Sequence, residues 1–411
     1  MRVTPIPAAA LLALCTVMPA APAAQFDSQN ILQRSQQLVE PFLDLDRRLV
    51  TVDSPSHYGP GIAQVGTIVE QAMRDLGGEV EVVKARVGPG NNLVGRWQGR
   101  GHRKILLLGH MDTVFKQDTT KTTPFRIDDK RAYGPGVLDD KGGIALALMS
   151  IRLLQELKFD DYGSVTLLAT TDEEMRSLGS RDLILELGKA HDYAFVLEFG
   201  TPDDKVTTWR KGVGYLMVEV TGKAAHAGAD SAQGCNAAIE LAHQMLELST
   251  LSDKEKETSV NFTIVQAGER GNIIPEKARA QADVRVLYPD EFDRLDRDVS
   301  RIASKSFLPC SRVEARVERG RPPFPSNRDT NALISKAQSI YREIGLDLGA
   351  EGSGGGTDGN YTASVGTATL DALGPVGGGA HTLNEYIELE RIAPRIYLLA
   401  RLMMEVSSDG H

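Results

Sequence analysis

Cysteine is scarce in this chain, three in 411 residues, and one of them, Cys15, lies in a leader-like segment. Cys235 and Cys310 remain, too few for a disulfide framework and without the paired spacing of a thiolate zinc site. One bridge between them is open to the sequence, but two small packed residues are the preferred reading. Basic charge is also in deficit. With 46 Lys and Arg against 55 Asp and Glu the net charge is −9, which argues against nucleic acid or an anionic membrane as partner. No apolar run is long enough to span a bilayer. There is no Gly-x-Ser-x-Gly nucleophile elbow, and the glycine-rich stretch 352–356 lacks the lysine of a phosphate-binding loop. Internal repeats and low-complexity tracts are not evident. What is present is a folded composition, 41% hydrophobic and 25% charged, with length enough for two domains.

Residues 1–24 read as a secretory leader. Arg2 gives a basic start, 8–20 is a short run of small apolar residues, and Ala21-Pro22-Ala23-Ala24 offers a cleavage site. The expectation is a soluble exported protein, periplasmic or secreted. Helical patterns follow over 28–50 and 62–76. Strand and helix then alternate from Glu79 to Glu198, with strands at 79–83, 92–97, 104–108, 165–170 and 193–197, which argues an α/β sheet with helices on its faces. After Gly212 the order becomes strand 215–220, helix 236–248, strands 259–266 and 278–286, helix 292–306 and strand 312–317. That βαββαβ order is the ferredoxin-like unit. Helix, strand and helix then resume at 330–344 and 393–406, with Pro394 suited to a first turn. The predicted organisation is an α/β catalytic domain of residues 25–211 and 323–411, interrupted by an inserted domain of 212–322.

The candidate chemistry sits at strand ends, where open α/β sheets bind ligands. His110 and Asp112 follow the apolar run 105–108. A lone His-x-Asp is more often a satisfied turn, so it needs partners. Of the eight histidines, His243 falls within a helix of the inserted domain and reads as structural; His102, His191 and His411 read as exposed; His57 is ambiguous. His110, His226 and His381 remain. Glu173 and Glu174 end a second strand, and Glu198 a third. Adjacent carboxylates repel unless a cation lies near; one can then ligate metal while its neighbour acts as a base. Asp139-Asp140 precede a helix, where capping is the simpler reading and bridging two metals the alternative.

Together "GHMDTV", "GPGVLDDKGG", "TDEE", "LEFG", "GKAAHAG", "GNIIPEKARAQADVR", "GSGGGTDGN" and "GAHTLNEY" stand in an order that resembles the M20 metallopeptidase family. The likeness is to its bacterial glutamate carboxypeptidases of the carboxypeptidase G2 type, and it covers nearly the whole mature chain. The resemblance implies a zinc-peptidase-like α/β domain with the ferredoxin-like insert as lid and dimerisation domain. It implies two zinc ions per subunit, one held by His110 and Glu198, the other by His381 and Glu174, with Asp139 bridging. Imidazole and carboxylate donors suit zinc. Asp112 would fix the tautomer of His110. Glu173 would be general base and then acid toward a metal-bridged hydroxide. A cis bond between Asp139 and Asp140 is also implied. The lid histidine His226 would stabilise the oxyanion, in its own subunit or its partner's. Asn272 and Arg285 would hold the substrate's free carboxylate, although a strand-face salt bridge is the simpler reading of Arg285. Lys205 and Arg321 are weaker candidates for anion contacts.

The implied reaction is carboxypeptidase hydrolysis of an amide to a C-terminal amino acid, glutamate by preference, in a homodimer. Phe115, Phe199-Gly200 and Trp209-Arg210-Lys211 depart from the family pattern and leave the acyl side and the side-chain preference open. One alternative keeps the chemistry: an N-acyl-amino-acid amidohydrolase or dipeptidase. Another is a two-lobed periplasmic binding protein, which the insert and leader fit but which needs no base beside metal ligands.

Overall fold

The computed structural model describes residues 27–409, so the leader, Cys15 and His411 lie outside the described residues. The six-stranded central sheet is built from the apolar runs seen in the sequence. Its strands, in spatial order, are Glu79–Lys84, Asn91–Gln98, Ser164–Thr170, Lys104–His110, Tyr193–Val196 and Ala368–Leu370. The last four run parallel; at one edge Asn91–Gln98 is antiparallel to both its neighbours, so that Glu79–Lys84 again runs in the direction of the four. Strand Ser164–Thr170 is buried along its whole length, because helices cover both faces. The helix Lys141–Glu156 packs between this sheet and the C-terminal helix Leu389–Ser407, and its residues from Lys141 to Ile151 are all buried.

A second sheet, with its own core, follows the sequence order Gly212–Thr221, Ala237–Ser249, Ser259–Ala267, Lys277–Val286, Pro289–Ala303 and Arg312–Arg319. Its four strands are all antiparallel and place Ser259–Ala267 and Arg312–Arg319 at the edges. This is the ferredoxin-like arrangement that the βαββαβ order predicts. A two-stranded parallel sheet pairs Lys205–Arg210, which has no counterpart in the sequence reading, with Gly349–Ser353, which falls where a strand is expected after helix 330–344. Trp209 there lies so close to Gly352 that a Cβ would meet its indole at 1.8 Å.

Four expectations need correction. The helical stretch 28–50 is two helices, Ser28–Gln37 and Val39–Val50, because Pro41 cannot donate to the Gln37 carbonyl and its ring crowds that group. The C-terminal helix starts at Leu389, so Pro394 lies inside it rather than in its first turn; the bond it forgoes belongs to exposed Glu390. His191 is half-buried, not exposed: its Nδ1 is 2.7 Å from the Leu187 carbonyl and its Nε2 2.9 Å from the Thr166 hydroxyl. Cys235 and Cys310 form a disulfide across a separation of 75 residues. They meet because buried Glu240, in the first helix of the insert, accepts the N–H groups of Phe307 and Leu308 and the Ser311 hydroxyl, so the loop after the second helix folds over the start of the first. His243 is structural as expected, its ring stacked on Phe307 with centroids 3.4 Å apart.

Candidate metal centre

Three adjacent parallel strands deliver the first donors. His110 ends the middle one, Glu173 and Glu174 follow its neighbour on one side, and Glu198 follows the strand on the other. Asp139 comes from the turn before helix Lys141–Glu156. His381 comes from the loop between the short strands Gly377–Gly378 and Tyr386–Glu388, in a left-handed backbone conformation (φ 64°) that L-residues seldom adopt. The Asp139 carboxylate lies between the two imidazoles: Oδ1 is 3.0 Å from His110 Nε2 and Oδ2 is 3.1 Å from His381 Nε2. Glu198 Oε1 is 3.9 Å from His110 Nε2, and Glu174 Oε2 is 3.5 Å from His381 Nε2.

The Asp139–Asp140 bond is cis. Asp140 occupies the helix N-cap position, but its side chain makes no capping bond. Its Oδ2 instead accepts the His110 N–H at 3.1 Å. The capping reading of this pair therefore fails for Asp140. The packing requires glycine: a Cβ at Gly143 would stand 1.9 Å from Asp140 Oδ1, and one at Gly109 2.8 Å from Oδ2.

Asp112 does more than the sequence assigns it. His110 Nδ1 is closest to its backbone carbonyl, at 3.0 Å, with the carboxylate at 3.4 Å. The carboxylate itself accepts the N–H groups of Glu173 (3.1 Å) and Glu174 (3.2 Å) and the Ser56 hydroxyl (2.6 Å). Asp112 thus fixes the imidazole and also holds the turn that carries both glutamates. Glu385 was missed altogether, although it stands four residues after His381 in the same motif. Its Oε1 accepts the N–H groups of Leu138 (2.8 Å) and Asp139 (3.1 Å), so one loop supplies His381 and braces the Asp139 turn.

Electrostatically the cluster is overloaded with acid. Burial pushes Glu173 up to about 8 and raises Glu198 and Glu174 above the usual carboxylate range. Hydrogen bonds to Asp139 and Glu174 lift His381 to about 10. Burial opposes ionisation of Asp139, but the two imidazoles outweigh it and hold that carboxyl below its ordinary value. Glu174 Oε1 is buried without a partner. His110, Glu173 and Glu198, and separately His110, Asp139 and Glu174, can each converge single donor atoms within 4.8 Å of one another. A dication is what such crowded oxygen and imidazole donors fit.

Of the other sequence candidates, only Arg321 adjoins the cluster. His226 is exposed; its Nδ1 accepts the N–H groups of Gly228 (3.1 Å) and Ala229 (3.0 Å), which puts the proton of a neutral ring on Nε2. Asn272 is exposed, and its carbonyl accepts the Ala227 N–H at 2.9 Å, beside the His226 loop. Arg285 pairs with Asp283 through two nitrogens, at 2.9 and 3.0 Å, and reaches the Gly354 carbonyl at 3.3 Å. Lys205 pairs with Glu351 at 2.8 Å and Asp203 at 3.4 Å. Arg321 is buried against Glu173. Of the departures, Phe115 is buried and Gly200 bridges Val376.

Buried imidazole and carboxylate donors at the C-terminal ends of parallel strands, with a further carboxylate poised beside them, define a metal-dependent hydrolase. The chain belongs to Peptidase family M20/M25/M40, which matches residues 106–405. It is 39% identical to carboxypeptidase G2 of Pseudomonas sp. (strain RS-16) over 365 residues, 88% of each chain. It is 30% identical to acetylornithine deacetylase of Aliivibrio fischeri (strain MJ11), over 88% of this chain and 97% of that one. The fold is shared with aminopeptidase PepT of Bacillus cereus (TM-score 0.76, 23% identity, 91% and 99% of the chains). It is also shared with an M20 family metallo-carboxypeptidase of Sulfolobus solfataricus (TM-score 0.69, 17% identity, 90% and 98%). The protein is a metallo-exopeptidase of this family, a hydrolase of peptide bonds. The family assignment decides against the binding-protein alternative.

Proposed function

We propose that the protein is a two-zinc carboxypeptidase that releases a C-terminal amino acid, glutamate by preference, from peptides or N-acyl amino acids. The observation that carries the two-metal reading is the Asp139 carboxylate, which offers one oxygen toward His110 and the other toward His381. His110 and Glu198 would hold one zinc, His381 and Glu174 the other, with Asp139 shared. Bound zinc would lower the pKa of a water and polarise the scissile carbonyl. Glu173 takes a proton from the attacking water and returns it to the leaving amine. His226 offers its Nε2–H to the developing oxyanion, from its own subunit or across a dimer. Asn272 and Arg285 receive the free α-carboxylate, Arg285 by exchanging Asp283 for substrate, with Lys205 as an outer anion contact.

Residues 212–322 act in this reading as lid and dimerisation domain, with 25–211 and 323–411 as catalytic domain. Edge strand Ser259–Ala267 supports a homodimer, since Ile264 and Val265 stand exposed on it while the opposite edge carries Arg312, Glu314, Arg316 and Glu318. A monomer by light scattering would refute the dimer. Export to the periplasm or medium fits the Cys235–Cys310 bridge, a bond of oxidising compartments; among the described residues no helix is long and apolar enough to cross a membrane.

The decisive experiment incubates purified enzyme of known metal content with a panel of N-acyl amino acids and dipeptides. Glutamate released fastest from N-acyl-glutamates is the expected result. Two bound zinc ions with another amino acid released fastest would overturn the glutamate assignment and favour the related amidohydrolase or dipeptidase reading.

A further inference from the structure

We propose that Arg321 is a positioning residue that holds the base Glu173 from the hinge of the lid, and is not a contact for the substrate's anion. The inference rests on the functional reading above. Two segments cross between the α/β body and the insert, and they are zipped together. Arg210 and Phe324 exchange both backbone hydrogen bonds, at 2.8 and 2.9 Å; Val213 donates to the Arg321 carbonyl and accepts from Gly320, each at 2.9 Å. Arg321 therefore sits on the ribbon about which the lid would turn.

Its guanidinium is committed to the body. One terminal nitrogen lies 2.7 Å from Glu173 Oε1, 2.6 Å from the Glu173 carbonyl, 3.2 Å from the Ser177 hydroxyl and 3.6 Å from Asp358. The other donates to the Gly356 carbonyl at 3.1 Å. Only Nε, which is buried, lacks a partner. A substrate carboxylate needs two parallel N–H groups for a bidentate grip, and both terminal nitrogens already face fixed acceptors. The grip on Glu173 is double, side chain and main chain, so it fixes both the carboxylate and the short helical turn Glu173–Met175. Asp112 holds the same turn from the opposite side through the Glu173 N–H. A carboxylate so clamped cannot swing toward the neighbouring acidic donors, and its aim follows the ribbon that carries Arg321.

The test uses full-length, zinc-loaded enzyme, with Arg321→Lys and Arg321→Met assayed on whichever substrate the wild type hydrolyses fastest. The readouts are kcat, KM, the inhibition constant of the released amino acid, and zinc content. For the Met variant kcat is expected to fall by about 10²-fold or more, with zinc content held and KM and the inhibition constant within about threefold (~0.7 kcal/mol). The Lys variant, which keeps the charge but not the fork, recovers part of kcat. In a cycle with Glu173→Asp the two losses are strongly non-additive. An unchanged kcat with KM and the inhibition constant raised tenfold or more makes Arg321 a substrate contact and overturns the proposal. Loss of folded protein in both variants, by circular dichroism, marks a purely structural arginine and overturns it as well. A wild type without turnover on any member of the panel would instead sink the functional reading itself.

Discussion

At the scale of the residue, the site separates groups that would hold metal from groups that aim them. Glu173 has no ligand role in the two-zinc reading, so Glu173→Gln is expected to lower kcat by about 10³-fold while zinc content by atomic absorption stays at the wild-type value. Loss of zinc in that variant would return Glu173 to the ligands. Glu385 contacts no donor side chain, yet it accepts the N–H groups that orient Asp139. Glu385→Gln keeps an acceptor, whereas Glu385→Ala leaves two buried N–H groups unpaired. The Ala variant is therefore expected to weaken zinc about 10–100-fold, measured by competition with a chromophoric chelator, and the Gln variant less. Equal affinities in both would show that the brace is not needed.

At the scale of the element, the insert has one guarded edge and one open edge. Charged side chains alternate along Arg312–Arg319, but Ser259–Ala267 exposes Ile264 and Val265. Lysine at an edge opposes strand pairing. Val265→Lys is thus expected to convert a dimer to monomers by light scattering without lowering the melting temperature of the monomer. The disulfide belongs to the same element: it closes a loop of 75 residues, for which the chain-entropy argument gives about 4.5 kcal/mol and disulfides typically deliver about 2–4 kcal/mol. Cys235→Ser with Cys310→Ser should shift the urea midpoint of the insert downward by that free energy, with metal content unaffected. A midpoint that did not move would mean that the Glu240 contacts alone hold the 304–311 loop.

At the scale of the whole molecule, burial of acid sets the pH dependence of the metal-free fold. Glu173 and Glu385 are each raised to about 8 by burial, from an unfolded value near 4.3. A carboxyl raised in the folded state contributes stability that is complete below its unfolded value and is lost as pH rises through the folded one. His381, raised to about 10, loses its contribution from about pH 6.5 upward, in the same sense. His191, lowered by burial, acts oppositely within this range; Lys141, lowered to about 8, does so only above about pH 8, and the lowered carboxyls of Asp139 and Glu291 only below about pH 4.5. The melting temperature of chelator-treated protein is therefore expected to fall by about 10 °C between pH 5 and pH 8. Zinc should remove most of that fall, because cations neutralise the same carboxylates. A metal-free curve that rises with pH would show that these groups are not buried in the acid-rich state described.

Much of the molecule was legible in the sequence because the signals are local. A buried parallel strand is a short apolar run, and a candidate donor at its end lies within four residues of it; hence His110, Glu173, Glu174 and Glu198 could be marked and the βαββαβ order of the insert read off. Helix ends were less legible, since Pro41 and Pro394 act on groups four residues away in ways that a hydrophobic pattern does not record. What only the tertiary structure decided depends on approach through space. Arg321 reaches Glu173 across 148 residues, and Glu385 reaches Leu138 across 247. Cys235 meets Cys310 because a helix start and a distant loop share one carboxylate. Periodicity fixes which face of an element is buried; it carries no information on which distant charge arrives there. Sequence pattern therefore marked the candidate donors at strand ends, and packing decided that Arg321 and Glu385 stand behind them.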